Sequence, residues 1–224
     1  MTSKPALGKR WYDDACGTAL ALELVGERWS LLIVRELMYG ARRFGELKAS
    51  LGGISANILT QRLDGLEAAG VLVRRRLAPP ASVQVYELTA WGYDAETAIM
   101  ELGRWAAKSV LHDPTLPLSA VSIMMSFRTM ISAERSADVD ARVGFRFGED
   151  RFVAHLDHGR FSVRRGEPED VALLVETDPM TLASVVYGGR PLADAEAAGA
   201  LAITGDRTLA ERFPSFFVLP PKMG

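Results

Sequence analysis

The chain has 224 residues, a formal net charge of -2, 48% hydrophobic and 24% charged residues. This composition is globular, with room for one large domain or two ordinary ones, and it excludes a strongly basic, sequence-blind polyanion binder. The charge is uneven, because residues 1–112 carry 14 Lys and Arg against 12 Asp and Glu, whereas residues 113–224 carry 12 against 16. The positive excess of the first half has the sign expected of a surface that meets phosphate.

The cysteine content and the termini bear on the compartment. A single cysteine, Cys16, excludes an intrachain disulfide and fits a reducing cytoplasm. The start lacks the apolar core of a signal peptide, and no run reaches the length of a membrane span. We therefore expect a cytoplasmic protein without a membrane partner, with residues 1–12 as a mobile arm that carries Lys4, Lys9 and Arg10.

The first half predicts helices followed by a hairpin. Helices are expected at residues 13–25, 30–39, 44–50 and 56–69, and strands at residues 71–77 and 83–88. Ser55 is suited to cap the fourth helix, Ile54 and Leu59 fit a hydrophobic staple, and Gly70 suits the left-handed residue that ends a helix. This order predicts a mainly α winged helix-turn-helix domain.

The fourth predicted helix has two distinct faces. Its apolar face consists of Ile58, Leu59, Leu63 and Leu66 at helical spacing. The opposite side carries Ala56, Asn57, Thr60, Gln61 and Asp64. Small and hydrogen-bonding side chains on the first turns are what a helix inserted in the DNA major groove needs.

A long helix is predicted at residues 90–111, with Thr89 as its cap. Its apolar stripe is unpartnered over about 33 Å, which predicts a dimerisation helix. The alternative is that the downstream domain covers the stripe. The prolines at 114 and 117 end the helix. The predicted organisation is thus a DNA-binding domain at 1–112, a linker at 113–118 and a second domain at 119–224.

The second half predicts an α+β domain with a mostly antiparallel sheet and helices on one face. Strands are expected at residues 141–147, 151–156, 161–165, 172–176 and 200–204, and helices at residues 119–131, 179–187, 192–198 and 207–213.

The region from Cys16 through Trp105 resembles the HxlR family of bacterial winged-helix regulators. The matching segments are Leu22-Glu23-Leu24-Val25-Gly26-Glu27-Arg28-Trp29, Arg35-Glu36-Leu37, Arg43-Phe44-Gly45-Glu46-Leu47, Gly53-Ile54-Ser55, Leu59-Thr60-Gln61-Arg62-Leu63, Leu66-Glu67-Ala68-Ala69-Gly70-Val71-Leu72 and Tyr86-Glu87-Leu88-Thr89. The resemblance implies a dimeric transcription factor whose helix beginning at Ser55 enters the major groove, with the hairpin wing along the DNA backbone. Some family members sense oxidants or electrophiles through a cysteine near Cys16, although Gly17 stands here where a proline is common.

The region from Val143 to Phe213 is similar to a sterol carrier protein type-2 domain. The residues that carry this resemblance are Thr177-Asp178-Pro179 with Leu182, and Gly199-Ala200-Leu201 with Thr204-Gly205-Asp206. It implies a fold with an apolar tunnel for lipid-like ligands, serving either as an effector-binding domain or as a purely structural one.

Candidate DNA contacts follow from side-chain chemistry. Asn57 and Gln61 can pair with adenine, and Arg62 can reach guanine or phosphate. The full candidate set is Ser55, Ala56, Asn57, Thr60, Gln61, Arg62, Arg43, Lys48, Arg74, Arg75 and Arg76, with Arg42 as a further phosphate candidate. An ordinary solvated surface, with a buried Arg62 stem, is the alternative.

Other chemistry is weakly indicated. Cys16 has apolar neighbours, which favours a packed and inert thiol over a redox sensor. His155 and His158 lack a third ligand at a suitable spacing, so we predict no metal, and no catalytic motif or cofactor fingerprint occurs. A possible ligand pocket comprises Met124, Met125, Phe127, Met130, Phe145 and Phe152, with plain domain packing as the alternative.

The sequence therefore predicts a homodimeric, non-enzymatic regulator of transcription. Its partner would be double-stranded DNA with inverted half-sites about one helical turn apart, and an apolar small molecule could control it through the second domain. The alternative function is a lipid or apolar-ligand carrier whose first half only dimerises. In a third interpretation, the second half binds nothing and braces the dimer.

Overall fold

The computed structural model describes residues 12–223, so the arm expected at 1–12 lies outside the described residues except for Tyr12. The contacts divide the chain into two compact units, Met1–Glu96 and Thr97–Gly224. Within residues 12–223, no helix combines the length and apolarity needed to cross a bilayer.

The first unit has the predicted winged helix-turn-helix order. Its elements are α1 (Gly17–Val25), α2 (Ser30–Leu37), α3 (Phe44–Ser50), α4 (Ala56–Ala68), β1 (Leu72–Arg76), β2 (Gln84–Leu88) and α5 (Ala90–Asp94). Strands β1 and β2 are antiparallel, with Leu72 opposite Leu88 and Arg76 opposite Gln84. Arg42 adds a bridge to Tyr86, which ties the start of α3 to the hairpin.

The core of this unit is built from the apolar faces of α2, α3, α4 and β1. Its most deeply buried members, all fully inaccessible, are Ile33, Val34, Leu37, Leu47, Leu59, Leu63 and Leu72. Burying one such aliphatic side chain contributes roughly 1.5–3 kcal/mol. The position of α4 is therefore set mainly by its inner face, and its outer face is left to other uses.

The helix predicted over residues 90–111 is two helices. Thr89 caps α5 as expected, with its hydroxyl accepting from the Gly92 amide. The Ala95 amide then bonds to the Gly92 carbonyl, which tightens the turn and interrupts the helix. The chain resumes as α6 (Glu96–Ala107), which ends before the predicted limit.

The second unit is an α+β fold. After α6, its elements are α7 (Ala120–Met130), β3 (Asp140–Phe147), β4 (Asp150–Asp157), β5 (Arg160–Arg165), β6 (Leu173–Thr177), α8 (Pro179–Val186), α9 (Leu192–Ala197), β7 (Leu201–Gly205) and α10 (Arg207–Arg212). The strand order is β5-β4-β3-β6-β7. The sheet is mixed, because β3 and β6 run parallel while the other neighbouring pairs are antiparallel.

Helix α7 carries the centre of this unit's core. Phe127 is fully buried, and its ring stacks on Phe217 at a centroid distance of 4.3 Å and meets Phe213 edge-on at 5.6 Å. The opposite face of the sheet is covered at Gly144. A Cβ atom on Gly144 would lie 2.4 Å from Cβ of the buried Pro168, so only glycine fits beneath this loop.

Lys222 holds the residues that follow α6. Its ammonium group donates to the carbonyls of Ala107 at 3.1 Å and Ser109 at 3.0 Å, and contacts Nδ1 of His112 at 3.2 Å. The Met223 amide donates to the Lys108 carbonyl at 2.8 Å. The division of the chain by its contacts places Thr97–Gly224 in the second unit, so most of α6 and the predicted linker at 113–118 lie within that unit.

Candidate nucleic-acid interface

Helix α4 begins and ends as its sequence predicts. The Ser55 hydroxyl accepts from the Ile58 amide at 3.2 Å and caps the first turn. Ile54 and Leu59 are both buried at the staple positions. Gly70 has a φ of +73°, and the amide of the next residue, Val71, bonds back to the Leu66 carbonyl at 2.9 Å. Both ends of the helix are therefore fixed by local interactions.

The outer face of α4 is exposed and polar. Asn57, Thr60 and Gln61 are exposed, and Ala56 beside them presents only a methyl group. No side-chain hydrogen bond joins the three polar residues to another residue within 12–223. Their amide and hydroxyl groups are therefore available to an external partner with matching donors and acceptors.

Arg62 differs from this exposed group. Its Nε donates to the Arg28 carbonyl at 3.0 Å, and its Nη2 bonds to Oε2 of Glu27 at 2.8 Å. The guanidinium is thus directed to the loop between α1 and α2, away from the outer face. Arg62 therefore does not lie with Asn57 and Gln61 but binds a partner 35 residues away, which agrees better with the buried-stem alternative than with the predicted base or phosphate contact.

The hairpin carries the predicted arginine cluster, and each of its members is exposed. Arg74 pairs with Asp64 and, at 3.0 Å, with Glu67, both on α4. Arg75 lies on the other face of β1 and pairs with Glu87. The Nε atom of Arg76 donates to the Ser82 carbonyl at 3.1 Å within the hairpin.

The basic residues around α3 separate into two groups. Arg43 and Lys48 are exposed, and the Arg43 amide donates to Glu46 at the start of the helix. Arg42 is buried, and its guanidinium lies near Glu46 and Ser50. The Arg42 side chain is only 8% exposed, so this further phosphate candidate is less accessible to DNA than Arg43 and Lys48.

The carboxylates that engage these arginines were not identified from the sequence. The contact between Glu67 and Arg74 did have a signal in the sequence, because the two residues lie at equal sequence separations before and after the Gly70-Val71 turn. A helix that returns directly into a strand brings such positions together. No comparable local signal links Arg62 to Glu27.

Cys16 is exposed, so the expectation of a packed thiol is wrong. The residue lies at the N-cap of α1 rather than within the helix, because α1 begins at Gly17 and not at residue 13. Hydrogen bonding by the backbone amide and then the hydroxyl of Thr18 lowers the pKa of the thiol. The geometry therefore leaves the thiol accessible and more easily ionised than usual.

The predicted pocket residues lie in the core of the second unit. Each member is at most 6% exposed: Met124, Met125, Phe127, Met130, Phe145 and Phe152. The nearby hydroxyls of Ser126 and Tyr187 share a hydrogen bond of 2.8 Å, and burial raises the pKa of Tyr187. The arrangement is aromatic and methionine packing beside the part-buried Ser126–Tyr187 pair.

The two histidines considered for a metal site form hydrogen bonds with different partners. His155 bonds to Asp140 at 2.7 Å, whereas His158 contacts the Ala137 carbonyl at 3.0 Å. Over residues 12–223, no group of three or more His, Cys, Asp or Glu side chains is arranged to hold a metal ion.

The capped helix with a bare outer face, followed by a two-stranded hairpin, defines a winged helix-turn-helix protein. The chain belongs to the HxlR family, as the sequence predicted: residues 24–113 match the family described as HxlR-like helix-turn-helix. The uncharacterized HTH-type transcriptional regulator YvaP of Bacillus subtilis is 35% identical over 96 residues, covering 42% of this chain and 86% of YvaP.

Two further similarities concern the same region. The uncharacterized HTH-type transcriptional regulator Rv3095 of Mycobacterium tuberculosis is 41% identical over 99 residues, covering 44% of this chain and 61% of that protein. This chain therefore spans less than two thirds of that relative's length. The reduced form of the transcriptional regulator YodB from B. subtilis is 30% identical, with a TM-score of 0.40, covering 45% of this chain and 100% of YodB.

Proposed function

We propose that the chain is a sequence-specific DNA-binding regulator of transcription. The observation that carries the proposal is the outer face of α4, where Asn57, Thr60 and Gln61 are exposed without side-chain partners in the described chain. Family membership supports the same function. A helix with fixed ends and an unsatisfied polar face is suited to donate and accept hydrogen bonds at base edges in the major groove.

The proposed contacts divide by chemistry. Asn57 and Gln61 read adenine through paired hydrogen bonds, and Thr60 contacts a base or a thymine methyl group. Ser55 and Ala56 allow the helix start to approach the DNA backbone closely. Phosphate contacts come from exposed cations on α3 and the hairpin, namely Arg43, Lys48, Arg75 and Arg76.

The test is enrichment of duplexes from a randomised DNA library by the full chain, followed by affinity measurements at several salt concentrations. A regulator should enrich a defined motif and lose affinity steeply with salt. Gln61→Ala should weaken binding to the enriched duplex by about 1–3 kcal/mol and reduce the sequence preference at one base position. Thr60→Ala should also weaken binding to this duplex. Thr208→Ala, which changes an exposed threonine on α10, is the matched control and should leave binding unchanged. Failure of the wild-type chain to enrich any motif would refute the proposal.

We propose further that the protein acts as a homodimer on an inverted repeat. The support is the apolar surface of α6, where Leu102 is 49% and Trp105 is 72% exposed. Two half-sites about 34 Å apart would match such a dimer. Leu102→Glu with Trp105→Glu should convert the dimer to a monomer in sedimentation experiments, whereas Val218→Glu, at another exposed apolar residue, should not. A wild-type chain that sediments as a monomer at micromolar concentration would contradict this proposal.

The control of DNA binding by an apolar ligand in a sterol-carrier-like second unit belongs to the same proposal. The methionines of α7 can adapt to different ligands, and the Ser126–Tyr187 pair offers one polar group among aromatic rings. Native mass spectrometry of the purified chain should reveal a bound apolar molecule, and its removal should change the affinity for the enriched duplex. A carrier without regulatory function would hold the molecule but enrich no DNA motif.

A further inference from the structure

The outer face of α4 does not end at Gln61, because an acidic residue follows one turn later. Asp64 lies four residues after Thr60 and shares its side of the helix, and Glu67 follows at the next turn. The Asp64 side chain is 55% exposed and the Glu67 side chain is 38% exposed. Carboxylates at the edge of a surface that approaches phosphate repel it and weaken binding.

Arg74 contacts both of these carboxylates. Its Nη2 pairs with Asp64, its Nε lies 3.0 Å from Glu67, and its own backbone amide donates to Glu67 at 3.1 Å. The guanidinium carbon lies 5.6 Å from the centroid of the Tyr86 ring, which supports it from the hairpin side. The side chain is therefore held against α4 by the helix, by its own backbone and by an aromatic ring.

The neighbouring cations of the hairpin are not placed in this way. Arg76 points to the same face of β1 as Arg74 but bonds to the Ser82 carbonyl. Arg75 points to the opposite face and pairs with Glu87 on β2. Arg74 is the hairpin arginine that neutralises charge on α4.

We propose that Arg74 is a positioning residue that sets DNA affinity by neutralising Asp64 and Glu67, and not by contacting phosphate itself. This inference rests on the proposed DNA-binding function. Arg74, Asp64 and Glu67 together carry one net negative charge. Removing the arginine leaves two negative charges beside the base-contacting residues.

The test compares Arg74→Ala, Asp64→Asn and the double variant on the duplex enriched by the wild-type chain. Arg74→Ala should weaken binding by about threefold to tenfold, since charges within a Debye length of phosphate remain only partly screened. The double variant Arg74→Ala with Asp64→Asn restores the wild-type net charge of the group. Its affinity should return to within about twofold of the wild type.

The salt dependence separates this role from a direct phosphate contact. A lost phosphate contact lowers the slope of log affinity against log salt by about 0.9. We expect the affinity loss of Arg74→Ala to shrink as salt rises, because salt screens the repulsion, and the double variant to keep the wild-type slope. A slope reduced by about 0.9 in the double variant, with affinity still low, would overturn the inference and assign Arg74 to phosphate.

Two controls complete the design. Arg76→Ala removes a cation from the same strand face without uncovering a carboxylate on α4, so adding Asp64→Asn should raise its affinity much less than that of Arg74→Ala. Arg74→Lys keeps the charge and should retain most of the affinity even if Arg74→Ala destabilises the hairpin. Lack of enrichment by the wild-type chain refutes the proposed function and this inference together, whereas enrichment without rescue refutes this inference alone.

Discussion

Replacing Arg62 by alanine should loosen α4 without changing which DNA sequence the protein prefers. The residue loses a bond from a charged donor to the Arg28 carbonyl at 3.0 Å and an ion pair with Glu27 at 2.8 Å. The Arg62 side chain is 22% exposed and that of Glu27 is 66% exposed. The carbonyl bond contributes roughly 1 kcal/mol at such partial burial, and the exposed ion pair about 0.2–1 kcal/mol. Arg62→Ala should therefore cost about 1–2 kcal/mol.

Native-state hydrogen exchange of the α4 amides measures this loss as a lower free energy of local opening. Glu27→Gln serves as the matched variant, because it removes the ion pair and keeps the carbonyl bond, so its cost should be about 0.2–1 kcal/mol. Library enrichment with Arg62→Ala should recover the wild-type motif. A motif that loses a guanine preference, with unchanged exchange of the α4 amides, would refute the structural role and restore the base contact predicted from the sequence.

Three other perturbations test separate features. Ser55→Ala should lower the free energy of α4 opening by about 1 kcal/mol, because the Ile58 amide loses its acceptor; unchanged exchange at Ile58 would contradict this. Gly144→Ala should lower the free energy of unfolding by about 1–3 kcal/mol in urea titrations, because the added Cβ would overlap Pro168. The control is Gly45→Ala, which has open space around its added Cβ and should not destabilise the protein. The alkylation rate of Cys16 with iodoacetamide should rise at lower pH than for an ordinary thiol, because hydrogen bonding by Thr18 lowers its pKa and the thiolate persists to lower pH; a Thr18→Val variant should shift the profile back upward.

The local signals in the sequence were sufficient for the winged hairpin, for both ends of α4 and for its exposed face. Ser55 and Gly70 act at the predicted ends of α4, because caps and left-handed glycines depend on a few adjacent residues. The prediction for Cys16 was wrong because its apolar neighbours, Leu20 among them, were expected to bury the thiol. In the structure both residues are exposed.

The interactions that the sequence could not predict join distant parts of the chain. Arg62 meets Glu27 across 35 positions, and no periodicity indicates that pair. The parallel alignment of β3 and β6 was also not predicted, because strand propensity does not specify the neighbour or its direction. The break at Ala95 depends on one tightened turn closed on the Gly92 carbonyl, and an isolated glycine in a helical pattern does not by itself predict a break.

Lys222 has a practical consequence for any shortened version of this protein. Its ammonium group binds the carbonyls of Ala107 and Ser109, which lie more than a hundred positions earlier, where α6 ends. Trimming the chain before that lysine would leave these oxygens to water and allow the last turn of α6 to fray. Trp105 lies in that turn. If a truncated protein fails to self-associate, the cause would therefore be the frayed end of α6, and the result would not show that the removed residues form the contact surface.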